Sequence, residues 1–197
     1  MTDREPQQRR RQALAASVAD LMLAEGLEFG LRGVADRLGT SGRMLLYYFT
    51  TRDELVAAAL DEVSARLARL LAARSAGPRL SPAGFLAEVL QGTRDPEIGP
   101  YMRLWTEIVA RAARGESPYR DLAPRVVAGW IAWIDSRLTP ARAAEPPGRA
   151  AALLALVEGL FLLEQAAPGS TEGAAHFLGQ RLAERGGEAP SRGDRAG

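Results

Sequence analysis

Apolar residues recur along this chain at spacings of three and four, in blocks separated by clusters of glycine, proline and serine. That is the period of an amphipathic helix. Sustained two-residue alternation is missing, and no Asn-Gly or Asp-Gly hairpin turn occurs. The pattern predicts an all-α chain of about nine helices.

The first block, about Gln8 to Glu25, places Leu14, Val18, Leu21 and Met22 on one face and meets Gly26 as a C-terminal cap. A short helix over about Leu31 to Leu38 turns Leu31, Val34, Ala35 and Leu38 inward, and Gly39 ends it. Ser41 is a side-chain cap for another short helix, about Gly42 to Tyr48. In "TTRDEL" the Thr51 hydroxyl and the Glu54 carboxylate have the spacing of a capping box, which opens a long helix to about Arg74. Leu55, Leu60, Val63 and Leu67 form its inward stripe. Further helices are predicted over about Ser81 to Gln91, Pro100 to Arg114, Tyr119 to Leu138, Arg149 to Ala167 and Thr171 to Arg185. Residues 187–197 contain nothing that builds a core and are expected to be disordered.

Two of these helices carry more than a single apolar stripe. The helix from 149 to 167 is apolar nearly all round, so it must bury two sides. One side, rich in the small residues Ala151, Ala152, Ala155 and Gly159 and carrying Leu163, suits close approach by a second copy, the alternative being burial of both sides within the chain. Phe177 and Leu178 of the last helix extend it. The reading is an isologous homodimer interface built as a four-helix bundle.

Composition narrows the classes of function. Nearly half of the residues, 47%, are hydrophobic, enough to bury a substantial core, and the formal charge is only +1. A global basic field is therefore absent, and any argument for nucleic acid must come from local clustering. Cysteine is missing, which removes disulfides, thiolate metal sites and cysteine nucleophiles. Every basic residue except His176 is arginine, as a genome rich in G and C would encode. No apolar run has the length of a signal peptide or membrane span, so a soluble, cytoplasmic protein without a membrane partner is expected.

One segment departs from core patterning. "GTSGRMLLYYFTTRDEL", residues 39–55, sets Tyr47, Tyr48 and Phe49 in a row, so not all three rings can face inward. Leu45 and Phe49, four apart, pack inward and leave Arg43, Met44, Tyr47 and Tyr48 outward. From Arg37 to Arg52 there are three arginines and no acid. A helix, a short helix, a glycine-led turn and a second short helix are the parts of a helix-turn-helix, and local cations suit DNA phosphates. The run Arg9 to Arg11 has two readings, an arm on the adjacent backbone or a solvated helix start.

"LRGVADRLGTSGRMLLYYFTTRDELV" resembles the N-terminal DNA-binding domain of the TetR family of transcriptional regulators. The family shows a Val/Ile-Ala pair, a Gly-hydrophobic-Ser turn, a Leu-Tyr-x-x-Phe recognition helix and a Ser-Lys-x-x-Leu start to the next helix. Here the counterparts are Val34-Ala35, Gly39-Thr40-Ser41, Leu45 to Phe49, and Thr51 to Leu55. Leu46 stands where the family most often has tyrosine, and Met44 where it often has threonine. The motif match covers about the first third of the chain.

The resemblance implies a ligand-responsive regulator, a repressor, bound as a homodimer to a palindromic operator in double-stranded DNA. It implies DNA contacts from Arg32, Ser41, Gly42, Arg43, Met44, Tyr47, Tyr48 and Arg52, the last in place of a phosphate-binding lysine. It divides the chain into a helix-turn-helix domain over 1–52, a connecting helix over about 52–74, and an effector-binding and dimerisation domain over 75–186. It also implies a cavity for a small hydrophobic effector, walled by Phe85, Tyr101, Met102, Trp105, Val109, Trp130, Trp133 and Phe161. The same aromatic stripes also suit an ordinary core. Glu107 and Asp135 are the nearest polar groups, read first as surface or helix-pairing charges. No cofactor or metal is expected. Catalysis is not expected either, since a lone His176 has neither a cysteine nor a phosphate loop beside it. The alternative is a helical protein-interaction module that has lost DNA binding, given the residues at 44 and 46.

Overall fold

The structure, a computed structural model, describes residues 4–74, 77–92, 95–141 and 147–187. Among them the chain forms nine α-helices and no strand. These are α1 (Arg4–Glu25), α2 (Leu31–Arg37), α3 (Gly42–Tyr48), α4 (Arg52–Arg74), α5 (Pro82–Gly92), α6 (Gly99–Ala113), α7 (Tyr119–Arg137), α8 (Arg149–Ala166) and α9 (Glu172–Gly187). The all-α expectation holds, and most helix ends fall within two residues of those expected. α1 starts earlier, at Arg4, because Glu5 suits the positive end of the helix and Pro6 loses no bond within the first turn. The segment 188–197, expected to be disordered, lies outside the described residues.

The chain packs as two compact units, neither of them continuous in sequence. The first comprises residues 1–77 and 95–129, and the second 78–94 and 130–197. The division expected near residue 75 follows chain order, whereas packing groups α6 and the start of α7 with α1–α4.

In the first unit α1 lies along α4 over a core that includes Val18, Ala19, Met22, Leu45, Phe49, Ala59 and Leu60. Arg66 of α4 clasps α1 by donating to the Asp20 carboxylate and, at 3.1 Å, to the Ala16 carbonyl. α6 packs on α1 as well, with Leu104, Trp105 and Ile108 buried. Arg74 at the end of α4 pairs with Asp95 at 2.7 Å and Glu97 at 2.8 Å, which ties the approach to α6 back to the same unit.

In the second unit α5 packs against α9 and α8. Leu86, Val157 and Leu160 form a buried cluster, against which Phe161, Leu178 and Leu182 lie half-buried. Leu80 and Leu138 pair in a short bridge: the Leu80 N–H donates to the Arg137 carbonyl at 2.8 Å, and the Thr139 N–H donates to the Leu80 carbonyl at 2.9 Å. Glu164 fixes the turn before α9, accepting from the Gly169 amide at 2.8 Å and the Thr171 hydroxyl at 2.6 Å.

Candidate nucleic-acid interface

The α2–α3 segment is shaped by local chemistry. Gly39 adopts φ +61, a left-handed conformation that costs glycine little, and lets the chain reverse after α2. Ser41 then caps α3, its hydroxyl accepting from the Met44 amide at 3.1 Å. α3 buries Leu45 fully, and Phe49, the residue that ends it, is fully buried too. The opposite side is open: Tyr47 is 67% exposed, Met44 46% and Leu46 43%. Tyr48 is half-buried, and its ring meets that of Tyr47 edge to face, with centroids 5.1 Å apart. The in/out assignment made from the spacing of Leu45 and Phe49 therefore holds for Arg43, Met44 and Tyr47, while Tyr48 is half in. Leu46 joins the exposed set.

The start of α4 is capped nearly as the sequence implied. The Thr51 hydroxyl accepts from the Glu54 amide at 3.0 Å, but the Glu54 carboxylate reaches one residue further back, to the Thr50 amide at 2.8 Å. Its other oxygen accepts from Arg11 at 2.8 Å. Arg11 also donates to the Tyr48 carbonyl at 3.3 Å and lies 4.7 Å from the centre of the Phe49 ring. Arg11 thus braces the end of α3 and the start of α4 from α1. These contacts hold the Glu54 carboxyl below its ordinary value, first through the Arg11 hydrogen bond and then through the Thr50 amide.

The arginines around the helix-turn-helix divide into two groups. Arg32 and Arg43 are exposed. Arg52 is half-buried, and one of its terminal nitrogens donates to the Phe29 carbonyl at 3.3 Å. The Tyr119 phenol, buried at the foot of α7, is pushed up by burial, against the opposing charges of Arg111 and Arg52. Arg52 already serves the interior, whatever else it touches.

A third contact joins α6 to the turn that follows α1. The Glu107 carboxylate accepts from the Leu27 amide at 2.9 Å. It lies so close to Gly26, which has φ +82, that a Cβ there would sit 2.5 Å from a carboxylate oxygen. Glu107 is therefore a helix-pairing charge. A cleft of about 380 Å³ nearby is lined by Glu25, Glu28, Glu107, Ala110, Arg111 and Arg114, charged walls unlike the aromatic ones expected of an effector cavity.

The expected cavity residues fall in both units. In the first, Met102 and Trp105 are buried, Tyr101 is half-buried, and Val109 is 43% exposed at the surface. In the second, Phe85 is buried and meets Trp133 edge to face at 5.7 Å, with Trp130 half-buried. Phe161 packs on the Leu86, Val157 and Leu160 cluster. Of the dimer-face residues, Ala152, Ala155, Gly159, Leu163 and Phe177 are exposed. Leu178 is half-buried against that same cluster, on the side that α9 packs towards α5.

Solved structures of transcriptional regulators share this fold. A Rhodococcus sp. protein assigned to the TetR family of transcriptional regulators superposes with a TM-score of 0.66 at 26% identity, over 90% of this chain and 98% of that one. A transcriptional regulator from Rhodococcus sp. Rha1 superposes with a TM-score of 0.62 at 27% identity, over 88% and 94% of the two chains. This chain shares the fold of TetR-family transcriptional regulators and is similar to them in sequence. The multidrug binding protein EbrR, solved with imidazole, shares the fold at 22% identity with a TM-score of 0.64, over 90% of each chain. No family profile and no curated protein matches the sequence.

Similarity to these regulators supports a transcriptional regulator. No helix among the described residues is long and apolar enough to cross a membrane. Within this TetR-family fold, sequence reasoning passed over Arg11 as a brace. A signal was present: Arg11 precedes Leu14, Ala15 and Val18 by three, four and seven residues, so it lies on the buried face of α1.

Proposed function

We propose that the chain is a ligand-responsive, sequence-specific DNA-binding regulator, a cytoplasmic repressor that acts as a homodimer on a palindromic operator. The observation that carries this reading is the outward face of α3. A capped, braced seven-residue helix exposes Arg43, Met44, Leu46 and Tyr47 while Leu45 and Phe49 anchor it from behind. Exposed Arg32 and Arg43, with Ser41, Gly42 and Tyr48 beside them, supply the phosphate and base contacts, and Arg52 adds to them from the start of α4.

Dimerisation is supported by α8. Leu153, Leu154, Val157 and Leu160 are buried, yet Leu162 is 54% and Leu163 56% exposed, in line with Ala152, Ala155 and Gly159. A second copy would cover that face, and a two-fold pair of recognition helices demands a palindrome. The effector is a small apolar molecule taken up beside Phe85, Trp130, Trp133 and Phe161, where half-buried indoles gain contact area on binding. It alters DNA affinity only by binding the DNA-competent and incompetent states unequally.

The test is recovery of genomic DNA fragments by the purified chain, followed by sequencing. Enrichment of one palindrome, weakened steeply by added salt, fits the proposal. A folded dimer that enriches nothing supports the interaction-module reading instead.

A further inference from the structure

The exposed face of α3 is chemically one-sided. At 3.6 residues per turn, the side opposite Leu45 and Phe49 is centred on Tyr47 and flanked by Arg43, Met44 and Leu46. The exposures agree with that geometry, 67% for Tyr47 against 0% for Leu45 and Phe49. Met44 and Leu46 offer no hydrogen-bond donor. Between Gly42 and Tyr48 there is no amide, carboxylate or aliphatic hydroxyl side chain, so hydrogen bonds to base edges can come only from Arg43 and the two phenols.

The fold does not require this. Leu45 and Phe49 alone anchor the helix, and several large apolar side chains turned to water on one short element form a contact patch. In the major groove each base pair presents donors and acceptors, and thymine alone adds a methyl group. A face of Met44, Leu46 and a Tyr47 ring complements that methyl and little else in the groove.

We propose that α3 selects its operator through thymine 5-methyl groups packed against Met44 and Leu46, with Arg43 making the one guanine contact. This deepens the DNA-binding reading above and rests on it. Each half-site then carries thymines at the positions facing Met44 and Leu46. A methyl removed from such a contact weakens binding about fourfold, and about sixteenfold when the same position is changed in both half-sites.

The experiment has two stages. The full chain first selects duplexes from a random-sequence library. The consensus duplex is then remade with deoxyuridine in place of each thymine in turn. Uracil keeps every hydrogen-bonding group of thymine and loses only the methyl. Affinity is expected to fall about fourfold per half-site at two or more thymines. Met44→Ser and Leu46→Ser should each erase the thymine-over-uracil preference at one position, with the melting temperature unchanged because both side chains are exposed. Equal affinity for the uracil duplexes, or a preference that survives both substitutions, overturns the proposal and leaves the DNA-binding reading intact. Selection of no duplex at all overturns both and assigns the apolar face to a protein partner.

Discussion

Arg11 donates to the Glu54 carboxylate at 2.8 Å while its guanidinium lies over Phe49. One side chain of α1 thereby fixes both the last residue before the α3–α4 turn and the cap of α4. Arg11→Ala removes a charge-assisted hydrogen bond, a backbone hydrogen bond and a cation–π contact in a partly exposed setting. A loss of about 1–2 kcal/mol in urea unfolding is expected. DNA affinity should drop with it, because the recognition helix loses its brace.

Acid should weaken the same unit. Glu54 is held below its ordinary value of 4.5 by Arg11 and Thr50, and Glu62 by its hydrogen bond with Arg66. A depressed folded-state value means that the stabilisation is present in full above about pH 4.5 and disappears as pH falls below it. Urea unfolding across a pH series should show stability flat near neutrality and falling in that acidic window. Glu54→Gln should be less stable at pH 7 and fall less steeply in acid. An unchanged acid slope in that variant would show that Glu54 is not among the groups responsible.

The Glu107–Leu27 contact spans 80 residues and joins α6 to the turn after α1. Glu107→Ala leaves the Leu27 amide without its acceptor, at a cost of about 1–3 kcal/mol. Gly26→Ala forces a Cβ into a left-handed backbone and against the carboxylate, with a cost of about 1–3 kcal/mol from the backbone alone. Removing the carboxylate relieves the clash, so the two changes together should cost less than their sum in a double-mutant cycle.

The α8 face sets the oligomeric state in this account. Leu163 is 56% exposed in the single chain, so Leu163→Glu leaves the fold intact and places a charge where a partner would pack. Light scattering after size exclusion should give two copies for the natural chain and one for the variant. Two copies in both would move the interface elsewhere.

What the sequence made legible was local. The caps at Ser41 and Thr51, the reversal at Gly39 and the inward pair Leu45 and Phe49 each depend on neighbours within four residues, and each is present. Phe161 and Leu178 could not be placed from periodicity, because only the packing of α8 and α9 on α5 determines which of their sides is buried. The Glu107–Leu27 bond was illegible for a different reason: nothing in either residue's surroundings along the chain points 80 residues away. Arg11 lies between these cases. Its register on α1 was readable, but its neighbours Arg9 and Arg10 are identical in type, and only the buried stripe separates it from them.

Whether the exposed face of α3 grips DNA is decided by one titration. The natural chain and the Arg43→Ala/Tyr47→Ala variant are titrated with the selected duplex at several salt concentrations, with melting temperature and mass measured on the same samples. Both altered residues are exposed, so folding and assembly should be unchanged. The account predicts that the variant binds the selected duplex more weakly and less selectively, having lost the Arg43 guanine contact, and that its affinity depends less steeply on salt because one arginine charge per chain leaves the groove. Equal selectivity and an equal salt slope in a folded variant would contradict it.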